Sequence, residues 1–294
     1  MNIDTFLKIG HSHTICQDYI LSGDDPCPYI ILADGCSQAK DSDIGARILC
    51  HSALEVLTTI QSYMASVDPV ELGQWIINRA MNVKKYFHTK VDCLDATLII
   101  AYQFNKDYYV YMYGDGVIYT IDHDGNSRAY RRYYKPNAPA YLRYRVAGYG
   151  NYKNSNIASF MEISGICDQV EDDIMTPYFH KFYKGDVKDL MIASDGVESF
   201  VYKEKVRYKT LYFELLKAMK DSNPHLISGV DIPNIYRPDT LEMDYQKVIS
   251  DMSTFKLTKG TFLSRRVKKV MRNYLKEGFI NDDDLSIGCF HEEN

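Results

Sequence analysis

Residues 28–35 read PYIILADG, and residues 187–196 read VKDLMIASDG. Each is a short, nearly continuous apolar run that stops at an aspartate followed by glycine. Apolar runs of this length, bounded by turn residues, predict buried β-strands. Glycine permits the sharp turn that ends each one. Asp34 and Asp195 are therefore expected at the rim of a sheet, where a rigid scaffold most often carries its site.

Outward from these two strands the pattern alternates in character. A helix is expected from Asp41 or Ser42, because Ile44, Ile48, Leu49, Ala53, Val56, Leu57 and Ile60 recur at a period near 3.6. A second begins after Asp68, an N-cap followed by Pro69 in the first helical position and Glu71 in the third. Leu72, Trp75, Ile76, Ala80, Val83 and Phe87 mark its expected buried face. Strands are expected at Ala96 to Phe104 and Asp107 to Tyr113, split by Asn105-Lys106, and at Gly116 to Ile121 and Ser127 to Tyr133, joined by the hairpin loop His123-Asp124-Gly125-Asn126. Two more are expected near 142–148 and 157–163. A short helix is expected near 207–220. Residues 221–260 are polar, contain three prolines and read as an insertion or lid. A basic amphipathic helix over about 262–277 and a strand from Leu285 to Phe290 close the chain. The sum is one α+β domain over residues 1–294: a layered α-β-β-α sandwich of two mostly antiparallel sheets flanked by helices.

Composition narrows the function classes. The chain has 294 residues, 46% of them hydrophobic and 25% charged, as in an ordinary soluble domain. Its net charge of -5 argues against a nucleic-acid partner, which calls for a basic excess. Seven cysteines with no CxxC pair read as reduced thiols, not as a disulfide framework or a zinc site. The first residues lack an apolar leader core, and no apolar run approaches the roughly 18 residues of a membrane span. The expectation is a cytoplasmic protein with no membrane partner.

The chemistry lies in aspartates. Asp18, Asp34, Asp195 and the Asp283-Asp284 pair each sit at a strand end or in a tight turn, and Asp115 lies in Gly114-Asp115-Gly116. Carboxylates gathered in one place repel one another unless a cation sits among them. Hard oxygen ligands without histidine or cysteine select Mg²⁺ or Mn²⁺.

The order and context of these segments resemble the type 2C, metal-dependent serine/threonine protein phosphatases. The motifs that carry the resemblance are HTICQD ending at Asp18, ILADGCSQAKDSDIGARIL around Asp34, DATLIIA with Thr97, the turn at Asp115, MIASDGV around Asp195, and DDLSIGCF from Asp283. It covers about 1–200 and 262–294. The resemblance implies two packed antiparallel sheets with a two-metal centre at one end. It implies that Asp34 bridges the metals, that the Gly35 carbonyl binds one, that Asp195 and Asp283 bind the first, and that Asp18 orders metal-bound waters or binds directly. Asp115 would belong to a third, weaker site. A bridging metal-bound hydroxide would attack the phosphorus of phosphoserine or phosphothreonine in a phosphoprotein substrate.

Four positions depart from the family's pattern. His13 stands where an arginine clamps the substrate phosphate, with His11 a second candidate, and imidazolium lacks the bidentate fork. Gln17 replaces a glutamate, Cys36 a histidine, and Ser199 an aspartate of the third metal site, beside Glu198. These replacements keep two alternatives open: a catalytically weak module that binds phosphoproteins or partners, and a phosphatase of small phosphorylated metabolites. Arg265, Arg266, Lys268, Lys269, Arg272 and Lys276 read first as a solvated helix face, with an anionic dock as the functional reading. Arg128 to Tyr144 reads as a hairpin and loop at the sheet edge that could also contact substrate.

Overall fold

The computed structural model describes residues 1–135, 139–146, 158–170, 175–203 and 242–292. Two antiparallel sheets form the centre. The first has seven strands in the order β1 (Asn2–Lys8), β14 (Leu285–His291), β11 (Asp189–Ala193), β6 (Gly116–Ile121), β7 (Ser127–Lys135), β8 (Ala158–Ile163) and β9 (Ile166–Val170). The second has five: β10 (Tyr178–Tyr183), β5 (Asp107–Tyr113), β4 (Ala96–Phe104), β3 (Tyr29–Gly35) and β2 (Tyr19–Gly23). A short pair, β12 (Phe200–Tyr202) and β13 (Phe279–Asn281), stands apart.

The lack of alternation in PYIILADG now has a cause. Successive side chains of a strand point to opposite faces. Ile30 and Leu32 of β3 pack between the sheets with Ile99, Val110, Ile118, Ile192 and Phe290. Tyr29, Ile31 and Ala33 point the other way, against α1 (Ser42–Thr59) and α2 (Pro69–Lys84). On the outer face of the seven-stranded sheet, Val117, Met191, Ala193, Ile287 and Cys289 meet α3 (Tyr245–Ser253) and α4 (Phe262–Lys276). The central strands of both sheets are thus buried on both faces, in an α-β-β-α sandwich.

Local signals were accurate where they were strong. Asn105 and Lys106 both take positive φ, 49° and 69°, and turn β4 into β5. Asp68 caps α2 by accepting from the Val70 and Glu71 N–H groups at 2.8 and 3.1 Å. Other expectations need correction. Trp75 and Phe87 are not on the buried face of α2. They are 36% and 55% exposed, and Trp75 stacks edge-on against Tyr63 near the surface. The strand expected near 142–148 is instead a 3-10 turn at Leu142–Arg145. Arg143 pins this turn through a bidentate pair with Asp95. The helix expected near 207–220 lies outside the described residues, as does the expected insertion up to 241. Its described remainder contains α3, whose Tyr245, Val248, Ile249 and Met252 belong to the core. No described helix is long and apolar enough to cross a membrane.

The cap makes a direct prediction. Asp68→Ala leaves two N–H groups of α2 without an acceptor and should cost about 1 kcal/mol in chemical denaturation.

Candidate active site

The aspartates meet where the sheets end. Asp34 is the penultimate residue of β3, paired in register with Thr97 of β4. Thr97 in turn donates from Oγ1 to Asp115 Oδ1 at 2.5 Å. Asp115 lies in the turn that carries the chain from β5 in one sheet to β6 in the other. Gly114 and Gly116 flank it with φ of 96° and 133°, a region that disfavours side chains. Asp195 opens a 3-10 turn directly after β11. Asp18 immediately precedes β2, whose Tyr19 pairs with Ala33. Asp18 and Asp115 are buried, whereas Asp34 and Asp195 keep part of their surface open.

The electrostatics of this group is repulsive. Burial and the charges of Asp18 and Asp195 push the Asp34 carboxyl far above the usual carboxylate range. Burial and Asp115 do the same to Asp195. Burial pushes Asp18 up to about 7. The Ser194 and Ser286 hydroxyls and Asp34 lie near enough to moderate it, yet neither Asp18 oxygen has a partner in hydrogen-bond geometry. An orphaned buried carboxylate beside two others is a set that a cation would satisfy.

The oxygen-only donors fit a hard divalent ion. Among the described residues, no three carboxylate, imidazole or thiol groups converge as a ready-made cage. Mg²⁺ needs none, since it keeps several waters and takes only one or two carboxylates.

Two further segments close the site. The loop 281–284 is held against the chain leaving β1. His11 N–H donates to the Asn281 carbonyl at 2.9 Å, and Ser12 N–H to that of Asp282 at 3.1 Å. Asp284 accepts from Gly10 N–H at 2.7 Å and Gln17 N–H at 2.6 Å. Asp284 is therefore committed to backbone, while Asp283, whose Oδ1 accepts from Asp284 N–H at 2.8 Å, keeps about 48% of its side chain exposed. Gly196 is required here for space, because a Cβ would overlap the Asp284 carbonyl.

Ser199 has a role not legible in the sequence. Its hydroxyl accepts from Asn281 Nδ2 at 2.7 Å and from Asp283 N–H at 3.1 Å, and donates to the Gly196 carbonyl at 2.8 Å. It latches the turn bearing Asp195 to the loop bearing Asp283. Glu198, its neighbour, is bound in a bidentate pair by Arg131, which also meets Glu162 at 3.2 Å. Arg131 lies 67 residues from Glu198, and no short motif announces such a pair.

His13 packs against the closing loop, with Nδ1 3.1 Å from Asp284 Oδ2 and Nε2 3.4 Å from Asp283 Oδ1. The Nδ1 approach is short but poorly aimed for a hydrogen bond. Burial pulls the imidazole pKa down, but Asp284, Asp283 and Asp18 outweigh it, so the net shift is upward. His11 contributes its backbone to the loop contact. Gln17 donates from Nε2 to Ser42 Oγ at 2.6 Å, tying the site to the start of α1. Cys36 donates its N–H to the Asp95 carbonyl at 2.8 Å. Its thiol and the Asp34 and Asp115 carboxylates all bear on the Tyr141 hydroxyl, so the loop after β7 does lie beside the site.

Two outcomes follow from this arrangement. Ser199→Ala removes the acceptor for Asn281 and Asp283 and should cost about 2 kcal/mol of unfolding free energy. The pH dependence of metal-free stability is also fixed in sign. In the unfolded chain these aspartates titrate near 3.8, and in the folded chain they titrate higher, about 7 for Asp18. Above 3.8 the folded state holds more protons, so stability is lost as pH rises toward 7. Thermal melts in EDTA should fall across that window, and Mg²⁺ should restore them most at the upper end.

The comparisons agree with the geometry. A family model described as Protein phosphatase 2C matches residues 9–227, well over half of the chain. A solved bacterial serine phosphatase superposes with a TM-score of 0.51 at 12% identity, covering 100% of this chain and 98% of that one. PppA, described as a key regulatory component of T6SS in Pseudomonas aeruginosa, gives a TM-score of 0.51 at 10% identity, covering 98% and 95%. At such identities these likenesses speak for the fold alone. No curated protein matches the chain. By the extent of the family match and by its two-sheet fold, this chain belongs to the protein phosphatase 2C family.

Proposed function

We propose that the chain is a Mn²⁺- or Mg²⁺-dependent phosphatase of phosphoserine and phosphothreonine in proteins, acting in the cytoplasm. The observation that carries this reading is Asp18, buried with both oxygens unpartnered, behind the rim carboxylates Asp34 and Asp195. Asp34, the Gly35 carbonyl, Asp195 and Asp283 would hold two ions, with Asp18 directing their waters. Bound there, the ions supply positive charge to the phosphoryl oxygens and acidify water.

The remaining residues position and tune. Asp284, held by the Gly10 and Gln17 N–H groups, fixes the loop that presents Asp283. His13, kept toward its cationic form by two carboxylates, offers the phosphate a charge without arginine's fork. Glu198 is already neutralised by Arg131, so Asp115 would face a third ion with little help. That favours two ions over three.

Hydrolysis of p-nitrophenyl phosphate and of a phosphothreonine peptide, with Mn²⁺, Mg²⁺ or EDTA, tests the reading. Asp34→Asn and Asp195→Asn should each lower metal-dependent kcat by at least about 100-fold while the protein stays folded. A wild type inactive with every metal, yet able to bind a phosphopeptide, would sink the enzyme reading in favour of a binding module.

A further inference from the structure

The basic face of α4 is the feature of the sequence that phosphate hydrolysis leaves unused. In the structure it borders a groove of about 830 Å³. One wall is β1, an edge strand, and the chain that leaves it. It contributes Leu7, Lys8 and Ile9. The facing wall is α4, with Lys268, Arg272 and Leu275 at spacings that place them on one side of the helix. The opposite side of α4, with Val267, Val270 and Tyr274, is spent on the core.

The groove is apolar and positively charged. Leu7 and Ile9 are each 39% exposed and Leu275 is 57% exposed, so large apolar groups stand in water along both walls. Lys8, Lys268 and Arg272 stand among them, and no carboxylate is present among the described lining residues. This is a local reversal in a chain whose net charge is -5. The complement is an acidic segment that also carries a large apolar side chain. Partial desolvation holds the Lys8 amine below its usual pKa, a cost that a carboxylate seated beside it would relieve.

The groove also reaches the site. Gly10, His11 and Asn281 line its end. These same residues hold the loop of Asp283 and Asp284, through Gly10 N–H to Asp284 and His11 N–H to Asn281. A chain with its phosphorylated residue at the carboxylates would have a flank within reach of this groove.

We propose that the groove between β1 and α4 docks an extended acidic segment of the phosphoprotein substrate, anchored by one large apolar side chain. The identity of the segment's owner rests on the phosphatase reading above. An anionic bilayer shares the charge chemistry, but the apolar groups here line a concave groove and do not project from an amphipathic face, which favours the peptide.

The test separates docking from turnover. A fluorescent, unphosphorylated peptide of aspartates and glutamates around one leucine is titrated with wild-type protein in EDTA and followed by anisotropy. The Lys268→Glu/Arg272→Glu double variant and Leu275→Asp, all at exposed positions, are compared after thermal melts confirm folding. Each variant should bind at least about tenfold more weakly, and a lysine-flanked control peptide should not bind the wild type above background. With the phosphorylated peptide, kcat/KM should fall by a similar factor through KM, while p-nitrophenyl phosphate turnover is unchanged. Equal peptide binding by wild type and variants overturns the proposal. So does binding only to vesicles of phosphatidylglycerol and phosphatidylcholine, which would make the groove a lipid contact. A wild type that binds the peptide through this groove but hydrolyses no phosphate ester leaves the docking surface standing and removes the phosphatase reading instead.

Discussion

Like charges held close in a poorly solvated place are costly, and most of this architecture can be traced to that cost. Asp18, Asp34 and Asp195 come from three separate stretches of chain; burial raises the proton affinity of all three, and the charges of Asp18 and Asp195 raise that of Asp34 further. Burial alone would neutralise them by protonation. The surrounding structure keeps them in place regardless. Strand register sets Asp34 beside Thr97, the hydroxyl of Thr97 steadies Asp115, and the Ser199 latch ties the Asp195 turn to the Asp283 loop. Stability given up at such a site is recovered in the three apolar layers around it.

Much of the fold was legible because its signals are local. The two-residue turn at Asn105-Lys106, the Asp68 cap and the apolar runs before Asp34 and Asp195 depend on neighbours in sequence. The strands β1, β2, β9 and β10 were missed. They carry mixed polar and apolar residues at sheet margins, such as Asn2, Asp4, Ser22 and His180, and so lack a clean period. Trp75 misled because a large apolar residue at helical spacing reads as core, whereas α2 simply has more apolar surface than its neighbours cover.

The site was legible as a set of aspartates but not as a mechanism of support. An Asp-Gly after a strand is visible in one dimension. The pairing of Arg131 with Glu198 or of Asn281 with Ser199 joins residues 67 and 82 positions apart, and no periodicity encodes it. Ser199 shows the difference best. Read against the family's pattern it is a missing ligand. In three dimensions it is a three-way hydrogen-bond node, and an aspartate there would present a charge where a hydroxyl now both donates and accepts.

The first and last strands lie side by side, Asn2 against His291 and Lys8 against Leu285, and the loop just before the last strand completes the carboxylate group. During synthesis, then, β1 must wait for its partner until nearly all of the described chain has left the ribosome. Asp18 and Asp34 are made early but remain without Asp195 and Asp283 for most of that time. A nascent or prematurely ended chain would therefore carry an edge strand and no assembled centre. Closure of the seven-stranded sheet and assembly of the carboxylate group would arrive together, once the segment through His291 has been made.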